Sequence, residues 1–180
     1  MDTIRTDAMY EETVRHSRFI GLALRVGSED DFRRRLEDIR RDYPHATHYV
    51  YAYILRAADG RLCVRFSDDG EPRHSAGKPV LAPLQGRELM NAAVVVVRYF
   101  GGVKLGVGGL VRAYGGVAAK VLDAAGRTPL TRRQRHQTTV AYKDQPAVEQ
   151  QLAAAGATII HREFGADVTI HYETDIDWDA

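Results

Sequence analysis

Between Val94 and Gly116 the chain reads V-V-V-V-R-Y-F-G-G-V-K-L-G-V-G-G-L-V-R-A-Y-G-G, a stretch holding seven of its sixteen glycines and three cations. Glycine reaches positive φ without a Cβ clash, so such a loop can turn several backbone N–H groups inward. A helix beginning after the loop adds unpaired N–H groups and the positive end of its dipole. Gly101, Gly102, Gly106, Gly108 and Gly109, ringed by Arg98, Lys104 and Arg112, therefore form a candidate site for a phosphate-like anion or an RNA phosphate. The alternative is tight strand-to-helix packing with no ligand. No Gly-Lys-Ser/Thr follows the loop and no dinucleotide fingerprint fits, which excludes the ordinary nucleotide-binding motifs.

A second cluster, Asp68, Asp69 and Glu71 with Lys78 nearby, could hold Mg²⁺ or accept hydrogen bonds from Arg98 and Lys78. An exposed acidic turn or a structural ion-pair network is the preferred reading. His45 and His48 have metal-like spacing but no identifiable third ligand, so they read as structural, and no metal site is assigned. Tyr49, Tyr51 and Tyr53 share one strand face and could stack bases; with no basic residue interleaved before Arg56, packing is the preferred role. Cys63 alternates with core residues and reads as buried and inert. A lone cysteine rules out an intrachain disulfide and fits a reducing cytoplasm.

These groups must be held by a fold, and the hydrophobic pattern indicates which. Ile20, Leu22, Leu24 and Val26 alternate as in a strand. Ser28 then offers an N-cap for a helix with Phe32, Leu36, Ile39 and Tyr43 on one face, stopped by Pro44. Residues His48 to Arg56 read as a strand joined through Asp59-Gly60 to a second at Leu62 to Phe66. A short helix is expected from about Ala76 to Gln85, despite Pro79 and Pro83. Ala92 to Val97 is a continuous apolar run, as in a strand covered on both faces, and a helix follows from about Gly109 to Ala125.

Residues 127–135, with Thr128-Pro129 and Arg132, Arg133 and Arg135, read as a charged linker between a domain at 1–126 and a second at 136–180. In the second, Thr138, Val140 and Tyr142 alternate, Asp144 and Pro146 open a helix that ends at Gly156, and Ala166, Val168, Ile170 and Tyr172 alternate again. The order is βαββ. A full split βαββαβ sandwich needs one more helix and strand, so this domain reads as truncated. The fold class is thus α+β. A net charge of +1 leaves nucleic-acid binding to local basic patches, and the longest apolar run is too short to span a bilayer, so no membrane association is expected.

Ser17-Arg18-Phe19-Ile20, Pro44-His45-Ala46-Thr47-His48, Ser67-Asp68-Asp69-Gly70-Glu71-Pro72, Ala76-Gly77-Lys78-Pro79, and Arg98-Tyr99-Phe100-Gly101-Gly102 through Arg112-Ala113-Tyr114 resemble the YigZ/IMPACT family in both content and order. The resemblance implies an N-terminal domain like the second domain of ribosomal small-subunit protein five. It also implies a ferredoxin-like C-terminal domain similar to one from elongation factor G. Eukaryotic members of that family bind a ribosome-associated activator of the starvation-sensing translation kinase. No established active site comes with the resemblance. The chain departs from the family where Ser-Gly-Thr usually follows Glu-Pro: Arg73-His74-Ser75 stand there instead.

Two functions compete on these residues. One is a non-enzymatic, translation-linked binding protein involved in regulation under stress, engaging RNA phosphate or a ribosome-associated protein through the glycine loop. The other is a phosphoryl-handling enzyme, with the loop cradling phosphate, Lys104 or Arg98 offsetting charge, and Asp68 or Asp69 holding Mg²⁺. The enzyme lacks a recognisable base, so the binding protein is preferred. No catalytic residue and no cofactor are assigned, and the sequence leaves the oligomeric state open.

Overall fold

A computed structural model of the chain describes residues 1–57 and 60–177, without the side chains of residues 132, 133, 176 and 177. Asp59, half of the expected hairpin turn, lies outside the described residues, as do the side chains of Arg132 and Arg133. The chain forms two compact units, Met1–Pro129 and Leu130–Ala180.

The first unit is built on a five-stranded antiparallel sheet of β2 (Ala8–Val14), β3 (Ser17–Arg25), β6 (Ala92–Tyr99), β4 (His48–Arg56) and β5 (Leu62–Ser67), in that spatial order. As the apolar run predicts, β6 is the central strand and is buried on both faces. Val95 and Val97 pack with α1 (Glu29–Asp42) through Phe32, Leu36 and Ile39. Val94 and Val96 pack on the opposite face with α2 (Gly77–Gly86) and α3 (Val107–Ala125) through Val80, Leu84, Val117 and Val121. Period two along one strand thus feeds two separate cores.

Each helix follows from its local chemistry. Ser28 Oγ accepts from Asp31 N–H at 3.1 Å, which caps α1, and Glu29, Asp30 and Asp31 sit against the positive dipole end. The third helix begins at Val107, two residues before the expected Gly109. Gly106 with φ +72° serves as its N-cap, and Gly126 with φ +63° ends it. At Gly21 a built Cβ would lie 2.6 Å from Val117 Cγ1, so the missing side chain lets α3 sit close on β3.

The expected linker at 127–135 is strand instead. Strand β1 (Asp2–Ile4) pairs antiparallel with β7 (Arg127–Pro129), tying Ile4, which is fully buried, to the end of α3. The arginine-rich segment belongs to β8 (Thr131–Val140), paired along its length with β10 (Val168–Asp177). Over residues 131–137 the strand is entirely polar, so apolar periodicity detects only its end, at Thr138 and Val140.

In the second unit, β8, α4 (Gln145–Ala154), β9 (Thr158–Phe164) and β10 give the βαββ order, and the sheet runs β8-β10-β9. Asp144 precedes α4 but makes no side-chain cap hydrogen bond; Pro146 stands in the first turn, where no intrahelical donor is needed. No helix among the described residues is long and apolar enough to cross a membrane.

Candidate functional site

The glycine loop joins the centre of the sheet to the first turn of α3. Gly101 is wedged against the β2–β3 turn, where an added Cβ would overlap the His16 carbonyl, and its N–H donates to Ser17 Oγ at 3.3 Å. Gly102 and Gly106 hold φ of +85° and +72°, which a β-carbon would strain. Leu105 turns inward onto the core, whereas Lys104, Val103, Val107, Gly108 and Arg112 are exposed. A Cβ built on Gly108 would lie 3.7 Å from Arg112 Nη1, so the guanidinium folds back over the first turn. Gly109 packs on Leu105.

Arg98 does not stand on the rim of this loop. It follows Ala92, Val94 and Val96 in the strand alternation and so points into the α2/α3 core, where it is 4% exposed. Its Nη1 donates to Glu71 Oε1 at 2.6 Å and its Nη2 to Ser17 Oγ at 3.2 Å. The rings of Phe19 and Phe100 lie 5.3 and 5.4 Å from its Cζ, which is cation–π range. Its Nε is buried with no hydrogen-bond partner. Of the three cations expected around one anion, Lys104 and Arg112 remain at the surface and Arg98 is spent inside.

The acidic residues are likewise turned onto the protein. Asp68 accepts from His74 N–H at 2.8 Å, Ala76 N–H at 3.1 Å and Gly77 N–H at 2.7 Å, and thereby caps α2 from a distance in sequence. Burial acts to raise its pKa, and the N–H donors of Gly77, His74 and Ala76 outweigh that, holding the carboxyl below its usual value. Asp69, at φ +42°, accepts from Tyr49 N–H at 2.6 Å. Glu71 Oε1 receives Arg98 and, at 2.6 Å, the Tyr114 hydroxyl. Burial and then the Glu71 hydrogen bond push the Tyr114 hydroxyl far above the ordinary range, so it stays protonated and donates to Glu71. Lys78 is exposed on α2 and reaches none of these carboxylates.

His48 contacts the Asp69 carbonyl through Nδ1 at 2.8 Å and lies 3.6 Å from Glu71 through Nε2; His45 is exposed. The two do not converge, and no group of three or more His, Cys, Asp or Glu suited to a metal occurs among the described residues. The tyrosine row lies under α1: Tyr51 and Tyr53 rest on Phe32 at 5.0 and 4.7 Å, Tyr53 donates to Glu29 at 2.7 Å, and Tyr49 donates to the Tyr43 carbonyl. That face cannot also stack bases. Cys63 is half-buried, not fully buried as expected, and donates to Glu29 at 3.2 Å; burial and then Glu29 raise its pKa.

The segments separated in sequence thus meet at one buried knot of Ser17, Phe19, His48, Glu71, Arg98 and Tyr114, with the Phe19 and Tyr114 rings edge to face at 5.2 Å. Sequence reasoning missed Ser17 and Tyr114 as members. The strand parity of Arg98 was the available signal, since it places the residue with Val94 and Val96. His74, where the family resemblance implies a glycine, sits at φ +62°, a left-handed conformation that glycine adopts without cost.

The sequence profile of the Impact N-terminal domain matches residues 15–122. IMPACT family member YigZ of Escherichia coli (strain K12) is 36% identical over 162 residues, covering 88% of this chain and 78% of that protein. An IMPACT family member of Thermus thermophilus is 50% identical over 117 residues, 65% of this chain and 61% of that protein. A solved structure, described as a crystal structure of an hypothetical protein, superposes with a TM-score of 0.68 at 32% identity, covering 96% of this chain and 84% of that one.

Proposed function

Because the chain belongs to the IMPACT family, we propose that it is a non-enzymatic, translation-linked binding protein whose working surface is the glycine loop with the first turns of α3. The observation that carries this reading is the engagement of Asp68, Asp69 and Glu71 by protein donors, beside a loop that leaves Lys104 and Arg112 in solvent. A phosphoryl-handling enzyme needs those carboxylates free for Mg²⁺, together with a base near the attacking group. Here the carboxylates secure α2, β4 and Arg98, and the cationic surface is left for recognition. The link to translation rests on what the resemblance implies, that eukaryotic members of the family bind a ribosome-associated activator.

Co-sedimentation with ribosomes over a salt series tests it. The protein is expected in the ribosomal fraction, and the Lys104→Ala, Arg112→Ala double variant is expected to leave it at lower salt with an unchanged melting temperature. Incubation with ATP or GTP and Mg²⁺ is expected to release no phosphate above background. Turnover that disappears in Asp69→Asn would overturn the reading and make the acidic loop a metal site.

A further inference from the structure

We propose that the partner element recognised at this surface is an amphipathic protein helix with an acidic rim, seated on the ridge of Val107 and Val111. This rests on the reading that the glycine loop and α3 form the working surface, and it names the chemistry of the partner. Val107 and Val111 are 59% and 40% exposed and stand one helical turn apart, so their side chains form a continuous apolar ridge. Phe100 and Val103, 45% and 40% exposed, stand in the loop that leads into it. An isolated exposed valine needs no explanation, but four large apolar side chains within twelve residues do.

The row beside the ridge is Gly108, Arg112 and Gly116. A Cβ built on Gly108 would meet only Arg112 Nη1, and one built on Gly116 would meet nothing within 4 Å. The row is open at Gly116 and is covered over Gly108 by the Arg112 guanidinium, so a charge borders the apolar ridge along its first turn. An exposed apolar stripe with i, i+4 spacing on one helix is what the apolar face of a second helix packs against.

Charge sets the partner's rim. No Asp or Glu occurs from Asn91 to Leu122, while Lys104 and Arg112 are exposed and make no ion pair with a described residue. The adjoining cavity of about 230 Å³ adds Arg15, and its single carboxylate, Glu12, is held by Lys120. The surface is therefore of one sign around an apolar centre, and carboxylates flanking the partner's apolar stripe complement it. RNA fits less well: Arg98 is withdrawn into the core, Arg15, Lys104 and Arg112 flank valines instead of forming a phosphate track, and a single exposed aromatic, Phe100, is no stacking platform.

A photo-crosslinking residue, benzoylphenylalanine, placed at Val107 in the full chain and activated in a ribosome-containing extract of the source cell tests the assignment. The expected adduct is a protein segment with apolar residues at helical spacing and flanking Asp or Glu. A synthetic peptide of that segment should then bind the wild type and lose at least about tenfold in affinity with Val111→Asp or Lys104→Ala, each variant melting as the wild type does. An RNA adduct, a basic or non-helical peptide, or affinity unchanged in both variants would overturn the acidic-helix assignment while leaving the working surface in place. Absence of any adduct at Val107 above that of the same probe at Thr169 in the second unit would overturn both.

Discussion

Arg98 donates to Glu71 across 2.6 Å, with the two side chains 5% and 4% exposed, and this pair joins the central strand to the loop before α2. A buried ion pair is paid for by desolvation and is rarely a net source of stability, yet removing one partner strands a charge. Arg98→Met and Glu71→Leu are each expected to lower unfolding stability by about 3–5 kcal/mol. The double change to Arg98→Met, Glu71→Leu should cost much less than the sum of the two. Urea melts of the four proteins measure the coupling, and strictly additive losses would show that the pair is not a unit.

His74 donates its backbone N–H to Asp68 while held at φ +62°. His74→Gly removes the side-chain clash of the left-handed conformation and is expected to stabilise the first unit by about 1 kcal/mol. The midpoint of urea unfolding should rise at constant slope. A fall would mean that the imidazole, which accepts from Arg73 Nε at 3.1 Å, contributes more than the strain costs.

Asp68 has a lowered pKa in the folded chain, so its contribution runs in the carboxylate sense. Stability from this group is complete above the unfolded value of about 3.9 and is lost as pH falls through the lower folded value. Asp68→Asn should therefore be less stable than wild type at pH 7, and the gap should narrow below about pH 4. Unfolding free energies at several pH values from 7 to 3 measure it; a gap independent of pH would assign the loss to packing alone.

The boundary of the first unit is expected after β7, not at Gly126. A fragment of residues 1–129 should unfold cooperatively, whereas residues 1–126 lose the partner of β1 and should be less stable by about 1–3 kcal/mol. Thermal melts of the two fragments compare them directly. Equal stability would show that the pairing of β1 with β7 contributes nothing to the unit.

Much of this architecture was legible in the residues. Alternation at Ile20 to Val26 and the apolar run at Ala92 to Val97 reported β3 and β6 because both are buried where alternation matters. Ser28 announced α1 because an N-cap is a local hydrogen bond. The β1–β7 pairing was not legible: three residues carry no period, and their partners lie 123 to 127 positions away, as the pairs Ile4 with Arg127 and Asp2 with Pro129 show. The site was legible in membership but not in direction. Glycines, carboxylates and Arg98 were singled out, yet charge alone suggested that Arg98 faces outward, and only its phase with Val94 and Val96 reveals that it faces in.

The central strand has a further consequence away from the native state. Ala92 to Val97 is six residues, uncharged, free of proline and four-sixths valine, the composition of a segment that stacks into cross-β assemblies when exposed. In the folded chain it is sealed by β3 and β4 along its edges and by helices on its faces. In a nascent or unfolded chain the nearest guard is the charge of Arg98, placed directly after the run as gatekeepers are. The guanidinium that is buried against Glu71 in the native protein is thus also expected to guard the unfolded one, and its loss would both raise the unfolded population and remove a charge that opposes that population's aggregation.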